Sequence, residues 1–554
     1  MCGIAGIMGN VDREKREMYI SQILEQQHHR GPDYRGIYSV DQITLGHNRL
    51  AIIDLDSRSN QPFHSHCGRY TIVFNGEIYN YLELREELKL TYPFKTESDT
   101  EVLLASYIKW GVEALRYLNG MFAFAIYDQY KKELFCARDR IGEKPFLYSL
   151  HQTGFYFASE LPALLRLGIF GTEPDQIGLH YSYLRNFLHI PEPYTRYKSI
   201  RRLEPAHALL VRKGKIVKKW CYWTPPTEYN PNITPEQVRE VVKNGVKIRE
   251  RADVEIATLL SGGIDSSIVT TLMVKDGLKP QAYTLKGDEE ELGRAKLIAT
   301  RLGIGLKIYN FDPQLQRQLY HKMVQIYGEE VRLLPLTHSA RLYQQIRRDG
   351  IKVVMTGIGA DELFYGYDGA YRQLLFSDIV KLLELFPRPF LKGLEKIFSF
   401  NQHLKLLFRL AQIENHKRKG FLYQQEAIKK GWGEEFDYAF LLDFWAEKVK
   451  TRNYIDLSHW LGLILENSHS ITISGDLPAM MFSIETRAPF LDYRVIELAF
   501  QIDAHRKVSK NGGKMILKEA FKELLPDTIL RAPKKGFGYG IKNNWVITSE
   551  GNRE

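Results

Sequence analysis

A cysteine follows the initiator methionine in this chain, as Met1-Cys2-Gly3-Ile4. Trimming of the methionine, which a small second residue favours, would leave a thiol and a free α-amine on one residue. These groups titrate near pH ~8.5 and ~8, so the amine can take the thiol's proton at neutral pH. The sulfur then becomes a nucleophile that carries its own base. A second set of residues suits anions. Ser261-Gly262-Gly263-Ile264-Asp265-Ser266-Ser267 stands between an apolar stretch and a helical one. Glycines in that position let backbone N–H groups close on a phosphate at a helix N-terminus. Thr356-Gly357-Ile358-Gly359-Ala360-Asp361-Glu362 repeats the pattern. Asp265 and Asp361 offer the hard oxygen ligands that Mg²⁺ uses when it bridges phosphates. Arg531-Ala532-Pro533-Lys534-Lys535-Gly536-Phe537 brings cations to a turn, where Lys534 could offset charge on a leaving anion.

The elements that must position these groups differ between two halves. Residues 1–190 read as short strands, at 70–74, 121–127 and 134–137, broken by turn residues such as Asn75-Gly76. Helical patterns intervene at 81–89 and 100–110. Strands in both orientations with few helices predict an α+β sandwich. Residues 191–233, rich in Pro and Trp towards their end, read as a linker. From Thr234-Pro235-Glu236, an N-cap followed by a first turn, strands and helices alternate. Strands at 254–260, 281–285, 306–309 and 351–355 predict a parallel, doubly wound α/β sheet with its ligands at the C-terminal strand ends. This second domain spans 234–554 and reads as mostly helical beyond residue 370.

The length of 554 residues allows two to four domains, and 44% hydrophobic with 26% charged residues is the balance of a soluble globular chain. No apolar run approaches the ~18–20 residues that cross a bilayer, and the N-terminus lacks the grammar of a signal peptide. Cys2, Cys67, Cys136 and Cys221 are too scattered for a disulfide framework or a zinc site. A cytoplasmic setting, with no membrane partner, is expected. The net charge of +10 is spread along the chain without an RNA-reading motif, so no nucleic-acid partner is expected.

The loop at 261–267 resembles the PP-loop of enzymes that cleave ATP to AMP and pyrophosphate. The chain as a whole is similar to the glutamine-hydrolysing asparagine synthetases. The motifs that carry the likeness in the first half are His29-Arg30-Gly31-Pro32-Asp33, Gly46-His47-Asn48-Arg49-Leu50, Asn75-Gly76-Glu77-Ile78-Tyr79-Asn80 and Ser98-Asp99-Thr100-Glu101. Ala137-Arg138-Asp139-Arg140 and Phe157-Ala158-Ser159-Glu160 extend it, and in the second half Ile484-Glu485-Thr486-Arg487-Ala488-Pro489-Phe490-Leu491-Asp492 joins the two loops. The resemblance implies an N-terminal-nucleophile (αββα) glutaminase domain ahead of a PP-loop synthetase domain. It makes Cys2 the nucleophile on the glutamine amide, and Asn75 with the Gly76 N–H the oxyanion hole. Arg49 would hold the glutamine carboxylate, and Glu77 and Asp99 its ammonium. In the synthetase half it implies ATP contacts at Leu260, Ser261, Gly262, Gly263, Asp265, Ser266 and Gly357, with Mg²⁺ at Asp265 and Asp361. Lys534 would stabilise pyrophosphate.

The chain also departs from that family. Ile358 stands where asparagine synthetases carry a glutamate, and Leu477 where they carry an arginine. Both changes replace a charge with a hydrophobe near the expected acceptor pocket, for which Glu330 and Ile358 are the candidate residues. The function expected is amidation of a carboxylic acid activated as an acyl-adenylate, using ammonia channelled from glutamine. The acceptor is aspartate or, as Ile358 favours, another small carboxylic acid. Glutamine, ATP and that acid are the expected partners, and a homodimer is the assembly considered. RNA modification and a non-catalytic relative are the competing classes.

Overall fold

The structure, a computed structural model, describes residues 2–533 except 185, 186, 188, 311, 332–334, 433–435 and 467–471. The strand Gly120–Asp128 shows why the first domain is layered. Its side chains alternate between two cores, Phe122, Phe124 and Ile126 to one side and Ala123, Ala125 and Tyr127 to the other. A strand buried on both faces reads as a continuous apolar run, and this one does.

Two antiparallel sheets of six strands result. One runs, edge to edge, Arg201–Arg202, Leu147–His151, Gly154–Ala158, Gly3–Gly9, Ile43–Arg49, Tyr34–Val40. The other runs Lys215–Cys221, His207–Arg212, Glu133–Arg138, Gly120–Asp128, Tyr70–Ile78, Phe63–His64. A shared core lies between them. The helices Arg13–Gln26 and Leu161–Leu165 cover the outside of the first sheet, and Tyr81–Leu88 and Asp99–Trp110 cover the outside of the second. This is an αββα sandwich. Its strands include three from the stretch expected as a linker: Arg201–Arg202 pairs with Leu147–His151, and His207–Arg212 pairs with Glu133–Arg138 and with Lys215–Cys221. The turn joining the last two, Lys213-Gly214, has positive φ at both residues, the geometry of a tight hairpin.

The second domain opens with helix Pro235–Arg249, started by a complete capping box between Thr234 and Gln237. Its sheet is parallel throughout, in the order Leu306–Asn310, Ala282–Lys286, Ile256–Leu259, Val353–Met355, Glu485–Arg487. The strand order reverses beside Ile256–Leu259, so both glycine loops leave neighbouring strands at their C-terminal ends. The fifth strand is a departure from the mostly helical reading beyond residue 370. It adds Glu485, Thr486 and Arg487 to the sheet edge that faces the first domain. No helix among the described residues is long and apolar enough to cross a membrane.

Candidate active sites

In the first domain the strands Gly3–Gly9 and Tyr70–Ile78 bring Cys2 beside Asn75. The Cys2 N–H donates to Asn75 Oδ1 at 2.9 Å, which leaves the Asn75 amide nitrogen buried without a partner. Gly76 follows at φ +154°, and a Cβ there would lie 2.0 Å from the Met121 carbonyl, so only glycine lets its N–H stay in line. An unpaired amide donor next to the backbone N–H of a glycine is the layout of an oxyanion hole. Arg49 lines the same pocket. Its guanidinium is held from behind by the carbonyls of Asp54 and Asp56 and by Asn60 Oδ1 at 2.8 Å. Gln61 ties the pocket's walls together, accepting from Phe74 N at 2.6 Å and donating to Thr100 at 3.2 Å.

The opposite end of the pocket is acidic. Asp99, at the start of helix Asp99–Trp110, accepts from the Ile78 N–H at 2.9 Å. Its loop is fixed by Glu101, which accepts from the N–H groups of Lys95 and Thr96. Glu77 is buried with Oε2 accepting no hydrogen bond. Burial, with Glu485 and Asp99 nearby, pushes the Glu77 carboxyl well above its ordinary range, and burial pushes Asp99 up to about 6. An arriving ammonium would restore charge to both. Burial also pushes the Cys2 thiol up, against the pull of the chain's N-terminal ammonium, so the resting sulfur is protonated and needs a base.

Two buried arginines carry this pocket across to the second domain. Arg30 donates to the Cys2 carbonyl at 3.1 Å and to Asp476 at 2.9 Å. Arg487 lies 3.8 Å from Glu77, pairs with Glu485 at 2.6 Å, and donates to the carbonyls of Arg249 and Arg251. The backbone carbonyl of Arg487 accepts from Thr356 N at 2.9 Å, and Thr356 opens the second glycine loop. The sequence reading gave neither arginine a role. Their signal was present only as charges inside the family motifs at 29–33 and 484–492.

In the second domain, Leu260 is buried in the sheet core, where its N–H donates to Tyr283 O at 2.9 Å; it anchors the loop that follows. Gly262 has φ +84°, and a Cβ there would meet the Glu291 carbonyl at 2.2 Å. Ser261 and Ser266 hydrogen-bond across the turn at 3.1 Å, and Gly263 caps helix Ile264–Lys275, whose first turn holds Asp265. Gly357 packs against this turn so closely that a Cβ would lie 2.8 Å from that of Asp265. The loops therefore bring Asp265 and Asp361 to one spot. The Lys514 ammonium sits between them, 2.6 Å from Asp265 and 2.5 Å from Asp361. Lys514 is held there by a left-handed backbone at φ +62° and a bond from its N–H to Phe364 O at 2.8 Å. Sequence reading missed this lysine, although Asn511-Gly512-Gly513-Lys514 is another glycine turn ending in a cation.

Gly263, Asp265, Arg294, Arg372, Lys514 and Lys518 line a cavity of about 840 Å³. Arg294 also donates to the Gly262 carbonyl at 3.2 Å. Such a basic, helix-terminated cavity suits a polyphosphate. The two aspartates already hold a cation between them, so they fit a divalent ion whose remaining ligands are phosphate oxygens and water. Among the described residues no group of three His, Cys, Asp or Glu side chains could hold a metal alone. Arg531 and Pro533 line the cavity; Lys534 lies outside the described residues. Of the acceptor candidates, Ile358 is half-buried against the domain core and Glu330 is exposed at the surface; neither lines the cavity. Its neighbour Glu329 is the buried acid, paired with Arg202 of the first domain at 2.5 Å.

Comparison with known proteins matches residues 1–223 to a glutamine amidotransferase domain and residues 237–551 to the asparagine synthase family. A Mycobacterium tuberculosis protein with a provisional name of glutamine-hydrolysing asparagine synthetase is 32% identical over 568 residues, covering 94% of this chain and 84% of the relative. Glutamine-hydrolysing asparagine synthetase 1 of Bacillus subtilis is 28% identical over 592 residues, covering 99% and 89%. A relative of another name, amidase chry2 of Gibberella zeae, is 28% identical over 617 residues, covering 98% and 90%. The chain belongs to the asparagine synthase family, as an ATP-dependent glutamine amidotransferase of the ligase class.

Proposed function

We propose that the chain hydrolyses glutamine at Cys2 and passes the ammonia to a carboxylic acid activated as an acyl-adenylate. The observation that carries this reading is a set of buried groups whose chemistry matches the amide, ammonium and carboxylate of glutamine. The Asn75 amide donor, buried without a partner, would meet an oxyanion; Glu77 Oε2, which accepts no hydrogen bond and lies 3.8 Å from Arg487, would take an ammonium; and Arg49, in the pocket wall, would take a carboxylate.

The Cys2 thiolate adds to the glutamine amide carbon, and the oxyanion is held by Asn75 Nδ2 and the Gly76 N–H. Collapse releases ammonia and leaves a thioester, which water hydrolyses to glutamate. Tyr79, Met121, Ile248 and Met480 form a buried, largely apolar cluster where the domains meet; ammonia crossing there would stay unprotonated. In the second site the acceptor carboxylate attacks the α-phosphate of ATP, giving acyl-AMP and pyrophosphate. Ammonia then displaces AMP, forming the amide with loss of one proton. Asp265 and Asp361 would hold Mg²⁺, which supplies charge neutralisation on the phosphates. Lys514, Lys518 and Arg294 orient the phosphates and offset the charge that grows on pyrophosphate; Lys534 adds to them.

Two residue types favour an acceptor less polar than aspartate: Ile358 stands half-buried in the second glycine loop, and Leu477 is buried in an apolar cluster with Leu319, Tyr320, Met323 and Met481. A panel of carboxylic acids, aspartate included, screened for ATP-dependent pyrophosphate release tests both parts. Robust turnover of aspartate overturns the acceptor reading; formation of ADP and phosphate overturns the adenylate.

A further inference from the structure

Beyond the nucleotide cavity the chain makes three successive helices, Ala370–Leu383, Arg388–Ile397 and Gln402–Ala411. Their inner faces meet around Val380, Leu391, Phe408 and Ala411. Their outer faces leave large apolar side chains in water. Leu375, Ile379 and Leu382 form one exposed stripe at helical spacing, and Phe390 and Ile397 form a second, seven residues apart. Between the stripes, residues 384–390 are exposed without interruption. Leu385 is 78% exposed, and Phe386 stacks on Phe390 with ring centroids 5.5 Å apart. Phe400, 80% exposed, extends the surface past the second helix. A folded chain seldom leaves so many large hydrophobes together in solvent unless something covers them.

Charge selects what does. Lys381, Arg388, Lys392, Lys396 and Lys405 are exposed on the same three helices, and no ion pair of theirs is found among the described residues, while Arg409 lies over the Phe421 ring at 4.9 Å. The carboxylates of the segment are engaged with other parts of the protein: Asp378 with His505 at 3.1 Å, Glu384 with Arg418, and Glu395 with Gln412 at 3.1 Å. Exposed Phe, Leu and Ile fringed by unpaired lysine and arginine match an interface that is apolar inside and anionic at its rim. The long cationic side chains can keep their heads at the rim while the rings enter. We propose that this three-helix face adsorbs to an anionic lipid bilayer, with Phe386, Phe390, Ile397 and Phe400 at the acyl boundary and the cations among the headgroups. Sequence reading excluded a membrane partner because no segment could span one; adsorption needs no span. The face shares an element with the chemistry, since Ala370, Tyr371 and Arg372 at the start of its first helix line the nucleotide cavity.

Flotation of the full chain with vesicles of phosphatidylcholine alone, or with phosphatidylglycerol added, tests the proposal without reference to the acceptor. Binding is expected to the anionic vesicles, and to fall as salt rises from ~0.1 to ~0.5 M because the cations are then screened. The triple variant Phe386→Ser/Phe390→Ser/Ile397→Ser should lose binding by roughly tenfold or more. Lys392→Glu/Lys396→Glu should lose the preference for anionic lipid. Both should keep wild-type glutaminase activity, which shows that the chain is folded. Failure to float with either vesicle overturns the proposal. So does salt-independent binding to both vesicle types alike. Concentration-dependent self-association that the triple variant abolishes, with no flotation, overturns it too and assigns the face to a second copy of the chain.

Discussion

The two active sites are finished to different degrees. The first-domain pocket is small: Arg49 is braced from behind, Gln61 locks the walls, and Asn75 Nδ2 and Glu77 Oε2 are left without hydrogen bonds, ready for the one ligand proposed. The nucleotide cavity is broad, about 840 Å³, and its two aspartates are bridged by the protein's own Lys514. A site that must recognise one small molecule every cycle can be built in advance. A site that takes ATP and, on the proposed reading, a metal and an acid keeps its charges balanced internally until they arrive. On the proposed reading the difference places specificity for the nitrogen donor in fixed geometry, while neither acceptor candidate, Glu330 or Ile358, lines the second cavity.

Breaking one site while sparing the other is the strongest test of that contrast. Cys2→Ala should cut glutamine hydrolysis by about 10⁴-fold or more, since no other thiol lines the pocket. Pyrophosphate release driven by added ammonia should persist. Gly76→Ala should cost roughly 10²–10³-fold in glutaminase kcat, because the new Cβ collides with the Met121 carbonyl and moves an oxyanion donor. Lys514→Met is the mirror experiment. It should lower ammonia-driven pyrophosphate release by about 10²-fold and leave glutamine hydrolysis near wild type; an equal loss of both activities would contradict the separation of roles.

The smallest effect is a pH dependence. Asp99 titrates at about 6 in the folded chain against an ordinary 3.8. Between those values the folded state holds a proton that the unfolded state has released. Stability therefore falls as pH rises through that window and stays lower above it. Asp99→Asn should gain on the order of 2 kcal/mol at pH 7.5 by thermal or denaturant unfolding, while the KM for glutamine rises about tenfold from the lost charge-assisted bond. In the wild type, kcat/KM for glutamine should drop as pH falls below about 6; the variant should not show that step.

Much of this was legible in the chain because it rests on local rules. The glycine at 76, the N-cap at Thr234 and the strand–glycine–helix loops at 261–267 and 356–362 each follow from backbone needs a short window reveals. The fifth strand was not legible. Glu485-Thr486-Arg487 has no apolar alternation, and only its neighbours in space make it a strand. The strands at 201–221 were hidden by a Pro- and Trp-rich context, although Lys213-Gly214 signalled their hairpin. Lys514 escaped notice because its partners are remote in sequence, Asp265 lying 249 residues before it and Asp361 on a different loop again.

Arg30 and Arg487 have a consequence for anyone who would take the protein apart. Severed from the second domain, the glutaminase half would keep a buried Arg30 deprived of Asp476 and a Glu77 deprived of its nearby cation. The other half would retain Glu485 and Arg487 on a sheet edge opened to water. The domains are two catalysts by chemistry but one object by charge, and neither half is a spare part that could be lifted into another chain unaltered.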